Sequence, residues 1–311
     1  MTVLAPTLLA VPNVSEGRDA AIIEHLAAAF APARDPDAPA GAVRLLDVHS
    51  DPDHHRSVFT LAGSAPQIGD ALVRGAAETL RSIDVVARAS GPAGDAGAHP
   101  HVGALDVVPL VYFDSRARGV ACAEALLVGE RLGSELGVPV FIYGELAGEL
   151  PGRTRAELRR GGVAALAARF AAGELRPDFG PSEPHASAGA TLVAAREPLV
   201  AFNLQLAAPA TLQDAQRIAA QIREGGDHGL PGLRAIGVAL SGDVAQVSMN
   251  VERPLELPLG EVVRAVEKLA PVASAELVGL APRAAFDGFP VELPMPGFDP
   301  DRHVIESALT L

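Results

Sequence analysis

The sequence predicts an α+β fold built as two split βαβ units, each an antiparallel sheet with its helices on one face. Three observations predict it. The order strand, helix, strand, strand, helix, strand occurs twice, first between residues 7 and 111 and again between residues 199 and 280. A Pro/Gly/Ser segment without hydrophobic periodicity, residues 176–189, separates the two occurrences. A chain of 311 residues that is 49% hydrophobic has enough apolar side chain for two cores, at roughly 150 residues per domain. One face of each sheet stays uncovered in this plan, so the two sheets are expected to face each other across a ligand cleft. The expected division is residues 1–180 and 181–311.

The elements follow in order. Thr7 to Val11 is a short apolar run, and after the turn at Asn13 to Gly17 the side chains Ile22, Ile23, Leu26 and Phe30 recur at helical spacing. Ala42 to Val48 and Ser57 to Ala62 read as two strands joined by the polar HSDPDHH. Ile68, Leu72, Ala76 and Leu80 share one helix face, and a Gly/Ala-rich loop, residues 87–103, then leads into the apolar strand Ala104 to Val111. A helix over Val120 to Leu136 stops at Gly137, where glycine takes the left-handed conformation that ends helices, and Val138 to Tyr143 adds a strand to the first sheet. Basic helical pieces, Thr154 to Arg160 and Val163 to Ala172, precede the Pro/Gly/Ser segment. The second unit reads as strand Leu199 to Leu206, helix Thr211 to Arg223, strands Leu233 to Leu240 and Val244 to Val251, helix Leu259 to Leu269 and strand Ser274 to Leu280. The Pro- and Phe-rich stretch from Pro282 is expected to wrap the surface.

Charge and composition exclude several functions. A formal charge of -13 opposes a protein that tracks nucleic-acid phosphates, while local arginines leave an anionic small molecule possible. No run approaches the ~18 apolar residues of a membrane span, and the N-terminus carries no basic leader. The single cysteine, Cys122, has no internal partner and reads as a buried helix residue, which fits a reducing cytoplasm.

Histidines carry the chemical signal. His49, His54 and His55 lie in HSDPDHH, and His99 and His101 lie in AHPHVG. Imidazole takes and returns a proton near neutral pH, and His99, restrained by Pro100 at the end of a Gly-rich loop before a buried strand, is the best placed general acid/base. With Asp51 the same histidines also offer metal ligands, although their spacing fits no zinc or iron signature. That leaves a metal-dependent amidohydrolase as the competing reading. Arg56 and Arg196 could pair with a carboxylate, Asp47 needs a partner if its strand is buried, and the small residues of GPSEPHASAG, Gly180 to Gly189, suit close contact with a flat ring or serve as a plain linker.

At these residues a resemblance emerges. VPNVSEGRD (Val11 to Asp19), LLDVHSDPDHHRSVFTLAG (Leu45 to Gly63), HPHVGALDVVPL (His99 to Leu110), GVPVFIYGE (Gly137 to Glu145), PDFGPS (Pro177 to Ser182) and LVAFNLQL (Leu199 to Leu206) closely resemble the glutamate formiminotransferase family. This family forms the transferase portion of formiminotransferase-cyclodeaminase and also occurs free-standing. The likeness runs in order from about Val11 to Leu280, and the length leaves no room for a cyclodeaminase domain. It implies two ferredoxin-like subdomains with facing sheets, a homodimer, and transfer of a formimidoyl group from N-formimidoyl-L-glutamate to N5 of tetrahydrofolate. It also implies His99 as catalytic acid/base and a folate-contacting stretch over Gly180 to Gly189, including Pro181, Ser182 and Gly189. No metal is required for that chemistry. Asp47 is expected to orient His99, Arg56 and Arg196 to hold carboxylates, and Asn13, Glu16 and Asn203 to offer polar groups at strand ends. Where the family often has GEHPR this chain has GAHPH, with Ala98 and His101 in place of an acid and an arginine. Those changes are compatible with a different donor such as N-formyl-L-glutamate.

Overall fold

The computed structural model describes residues 6–31, 41–91, 100–148 and 150–310. The chain divides into two compact units at Arg196 and Glu197.

The first unit contains, in order, β1 (Thr7–Ala10), β2 (Asn13–Val14), α1 (Ala20–Phe30), β3 (Arg44–Asp51), β4 (Arg56–Ser64), α2 (Gln67–Ser82), α3 (Val85–Ala89), β5 (Leu105–Val111), α4 (Arg118–Leu136), β6 (Val140–Ile142), α5 (Arg155–Leu158), α6 (Gly162–Ala171) and β7 (Thr191–Arg196). Local chemistry sets the boundaries. The Asp19 carboxylate accepts from the amides of Ala21 and Ile22 and starts α1, and Gly137 at φ 66° ends α4 as expected. The strand β3 runs on to Asp51, so His49 belongs to a strand and only residues 52–55 form the turn.

Seven strands form one sheet in the order β1-β4-β2-β5-β7-β6, with β3 beside β4. This sheet is mixed, which corrects the expected antiparallel plan: β7 lies parallel to both β5 and β6. The reason is the segment expected to be a linker. The Val140 amide bonds to the Phe179 carbonyl at 2.9 Å, the Asp178 carboxylate accepts from the Ile142 amide at 2.8 Å, and Gly189 bridges to Gly103. Residues 176–190 are thereby tied to the first unit and deliver β7 into its sheet, so the boundary falls at 196 and not at 180.

Apolar residues cover both faces of that part of the sheet. On one face Phe59, Leu61, Val108 and Val193 pack with Leu26 and Phe30 of α1, Leu72 of α2 and Val128 of α4. On the other, Val107, Phe141, Leu192 and Ala194 pack with Leu158 and Leu166 of α5 and α6. Burial on two faces removes the alternation that marks a half-exposed strand, and β7 reads TLVAAR for that reason.

The second unit contains β8 (Val200–Leu206), α7 (Leu212–Ile222), β9 (Leu233–Leu240), β10 (Val244–Val251), α8 (Leu259–Glu267) and β11 (Val272–Val278). Its four strands form an antiparallel sheet in the order β11-β8-β10-β9. A box at Thr211 and Asp214 caps α7, and α7 and α8 both pack their apolar stripes on Phe202, Leu204, Val247 and Met249. Ala281 and Val304 form a bridge that draws the C-terminal stretch back onto this unit, where Phe286, Phe289 and Phe298 reach the same core.

One buried carboxyl works against this packing. Glu124 of α4 is 5% exposed, and burial together with the Asp70 carboxylate pushes its pKa up against the opposing pull of Arg131. A carboxyl whose folded pKa is raised loses stability as pH climbs above its ordinary value of 4.5, and the loss is complete above the folded value. Glu124→Gln is expected to stabilise the protein by roughly 0.5 to 1 kcal/mol at pH 8, with the gain shrinking as pH falls, read from urea unfolding at several pH values.

Candidate functional site

One end of the seven-stranded sheet gathers five chain segments. There β2 and β3 end and β4, β5 and β7 begin, as the pairings Val14 with Ser57 and Leu105, Asp51 with Arg56, and Gly103 with Gly189 establish. The loop after β2, Ser15-Glu16-Gly17, lies at the centre of this gathering. The Ser15 amide and hydroxyl donate to the carbonyls of Ala104 at 2.8 Å and Gly103 at 2.7 Å, and the Ser57 hydroxyl donates to the Glu16 carbonyl at 2.5 Å. Gly17 passes so close to the β3–β4 turn that a Cβ would stand 2.2 Å from the Asp51 carbonyl, so this position admits no side chain.

Glu16 is 3% exposed and fully engaged. Its Oε1 accepts from the amides of Arg18 at 2.8 Å and Asp19 at 3.1 Å, and its Oε2 from Arg88 at 2.8 Å. Arg88 also donates to the Ser15 carbonyl at 2.5 Å. Burial alone would raise the Glu16 pKa, but those amides, His55 and Arg88 bring it below the ordinary value.

His55 is 7% exposed and holds φ at 50°, a left-handed backbone unusual for a residue with a side chain. Its Nδ1 accepts the Gly17 amide at 3.1 Å and stands 3.3 Å from Glu16 Oε1. Accepting that bond requires Nδ1 without a proton, so the neutral ring carries its proton on Nε2. Burial first, then the Arg88 cation, push the pKa of His55 down to about 4 against the opposing pull of Glu16, and Arg18 and His101 act in the same lowering sense. Beside it, His54 donates Nδ1–H to Asp51 at 2.5 Å, and the Asp51 carboxylate also accepts from the amides of Asp53 and His54. Although burial raises the Asp51 pKa, those bonds carry it down to about 2.

The remaining two segments are clamped to each other. Asp106 accepts from the Val102 amide at 2.8 Å and pairs with Arg159 at the end of α5. The Ala190 amide donates to the Val102 carbonyl at 2.9 Å and the Ala104 amide to the Ala188 carbonyl at 3.0 Å. Gly189 sits at φ 72° with a virtual Cβ 2.3 Å from the Val102 carbonyl, and His185 Nδ1 accepts from the amides of Ser187 and Ala188. The stretch 180–189 is therefore a folded loop beside residues 102–104, not an extended linker.

His99 and Ala98 lie outside the described residues. Pro100 and His101, which follow, enter this end of the sheet. Of the other expected residues, Glu16 and Gly189 are buried within the cluster, Asn13 is in β2 next to it, and Arg56 opens β4 opposite Asp51. Gly180 packs against Gly133 of α4 and the Val138 carbonyl, while Pro181 and Ser182 are exposed. Asp47 and Arg196 are farther away. Asp47 pairs with Thr60 four residues before Asp51, and Arg196 is at the far end of β7, about 17 Å from its start at ~3.3 Å per residue. Asn203 is on β8 of the second unit. Sequence reading missed Ser15, Arg88, Asp106, Arg159 and His185. Only Asp106 had a local signal, a carboxylate in an otherwise apolar strand start.

Among the described residues, no group of three or more His, Cys, Asp or Glu side chains is placed to hold a metal ion, and no helix is long and apolar enough to cross a membrane.

Comparison with known proteins defines the class. Residues 7–196 match the family described as the formiminotransferase domain, N-terminal subdomain. The chain is 32% identical over 313 residues to glutamate formimidoyltransferase of Streptococcus pyogenes serotype M1, covering 98% of this chain and 99% of that one. It is 32% identical over 299 residues to glutamate formimidoyltransferase of Thermoplasma acidophilum, with 93% of each covered. It is 36% identical over 292 residues to formimidoyltransferase-cyclodeaminase of Sus scrofa, covering 88% of this chain and 50% of that one, so it spans about half the length of these longer relatives. The chain belongs to the formiminotransferase family.

Two outcomes follow for the cluster. Because His55 is held neutral with a folded pKa near 4 against 6.5 ordinarily, its contribution is complete above pH 6.5 and lost as pH falls toward 4. Lowering pH from 7 to 5 is expected to cost the protein about 2 kcal/mol in urea unfolding, and His55→Asn, which tolerates the same backbone, is expected to flatten that slope. Asp106→Ala leaves Arg159 partly buried without its carboxylate and frees the Val102 amide, and the variant is expected to lose about 3 kcal/mol of stability, measured as a fall in denaturation midpoint.

Proposed function

We propose that this chain transfers the formimidoyl group of N-formimidoyl-L-glutamate to N5 of tetrahydrofolate, with His99 as the general acid/base. The observation that carries the reading is its identity to glutamate formimidoyltransferases over nearly the whole of both chains. The clamp between residues 102–104 and 188–190 supports it, because it brings the expected folate-contacting loop beside the segment that follows His99.

In this reading N5 attacks the formimidoyl carbon and His99 takes the N5 proton. The carbon–nitrogen bond to glutamate then breaks, and His99 returns the proton to the leaving nitrogen, so no proton is gained or lost overall. Arg56 holds a carboxylate of glutamate, Arg196 at the far end of β7 a carboxylate of the folate tail, Asn13 supplies a hydrogen bond, and Glu16 keeps Arg88 and the Ser15 loop in place. Tetrahydrofolate is a co-substrate, and no step uses a metal. A homodimer in the cytoplasm completes the reading.

The test is a steady-state assay of the purified chain with tetrahydrofolate and either N-formimidoyl- or N-formyl-L-glutamate. Turnover is expected with the formimidoyl donor, reduced roughly 100- to 10,000-fold in His99→Ala and unchanged by EDTA. Turnover on the formyl donor alone would reassign the substrate to the one that His101 and Ala98 accommodate. Hydrolysis without tetrahydrofolate, abolished by EDTA, would replace the reading by a metal-dependent amidohydrolase.

A further inference from the structure

We propose that the outer face of α4 is an interaction surface for a second copy of this chain, two α4 helices packing antiparallel about a two-fold axis at Ala123. This deepens the homodimer of the function proposed above and rests on it, while it uses none of the transferase chemistry.

The argument begins with the periodicity of α4. Ala121, Ala125, Val128 and Leu132 turn into the core over the sheet, and Arg131 turns toward α2, where it pairs with Asp70 at 2.7 Å. At 3.6 residues per turn the opposite face holds Gly119, Ala123, Leu126, Leu127 and Glu130, and all five are exposed. Arg116, in the turn that leads directly into the helix, precedes them on the same side. Leu127 is 56% exposed and Leu126 38%. A helix face turned to water is ordinarily charged or polar. Between Arg116 and Glu130 this face carries neither kind of side chain, in a protein whose formal charge is -13.

The pattern is complementary to itself. A two-fold axis sets residues equally spaced before and after it against each other. About Ala123, Gly119 four residues before meets Leu127 four residues after, and Arg116 seven before meets Glu130 seven after. Each meeting is a match. A Cβ at Gly119 would find nothing within 4 Å, so this glycine leaves an open notch for a leucine. The Arg116 side chain is 91% exposed and joined to Asp114, and its five N–H donors leave room for a second carboxylate. Both matches occur twice, once on each side of the axis, and the small residues Gly119 and Ala123 allow the helix axes to approach to roughly 8 Å.

The ends of the stripe select the occupant. A membrane surface favours a basic flank, and a partner of one charge would be repelled at Arg116 or at Glu130. A second copy laid antiparallel answers both ends at once.

The experiment is sedimentation velocity over a concentration series, comparing wild type with Leu127→Arg, Glu130→Arg and the exchange Arg116→Glu with Glu130→Arg. Wild type is expected to associate, and Leu127→Arg to associate roughly 100-fold more weakly, because both leucines of the pair lose their notches. Glu130→Arg is expected to weaken association roughly 10-fold, and the exchange to recover most of that loss, since it restores opposite charges across the axis. The substituted positions are exposed, so urea midpoints should stay near that of wild type. A second measurement reads the axis directly. In a Cys122→Ser background, Ala123→Cys is expected to form an interchain disulfide on mild oxidation, while Gln216→Cys, exposed on α7, is not. Association that Leu127→Arg leaves unchanged, or no cross-link at position 123, overturns the inference and leaves a homodimer through another surface. A wild type that is monomeric at every concentration overturns the inference and the homodimer together, and turnover with tetrahydrofolate judges the transferase reading separately.

Discussion

The Glu16 carboxylate is buried, and a buried charge persists only where donors replace the water it has lost. Three donors do this from two parts of the chain, the amides of Arg18 and Asp19 and the Arg88 guanidinium from α3, while the unprotonated Nδ1 of His55 from the β3–β4 turn stands 3.3 Å away and takes the Gly17 amide. The same constraint positions everything around it. Because Arg88 also holds the Ser15 carbonyl, and Ser15 in turn holds Gly103 and Ala104, the charge at Glu16 fixes the start of β5 and the segment that follows His99. His55 stays neutral within this arrangement because the nearby guanidinium and its own burial outweigh the carboxylate.

A second constraint acts on the opposite side of the same sheet end. Asp106 and Arg159 are both largely buried and joined, and Asp106 spends its other oxygen on the Val102 amide. Residues 100–106 are thus held from one side by Ser15 and from the other by α5, while residues 188–190 lie alongside through backbone bonds. Support on both sides fixes the position of such a loop. The two clamps place residues 100–106 and 188–190 in one neighbourhood.

Much of this was legible in the chain alone. The strand–helix order of the second unit, the helix stop at Gly137 and the resemblance carried by HPHVGALD and PDFGPS all came from local patterns. Asp106 sits inside one of those motifs, yet its role was hidden, since its partner Arg159 is 53 residues away in a short basic helix that reads as a solvated face. Arg88 was hidden for the same reason, being 72 residues from Glu16. The strand β7 went unread because burial on both faces erased its alternation, and with it went the boundary at 196 and the parallel pairing of the first sheet.

What the sequence by itself determined is the class of each segment and the family, because periodicity, caps and contiguous motifs are properties of neighbouring residues. Tertiary structure alone decided which charges neutralise each other, which histidine is held neutral, and how β7 enters the sheet. These depend on groups far apart in the chain meeting in a low-dielectric interior, where the energy of a charge or an amide is set by what surrounds it and not by what precedes it.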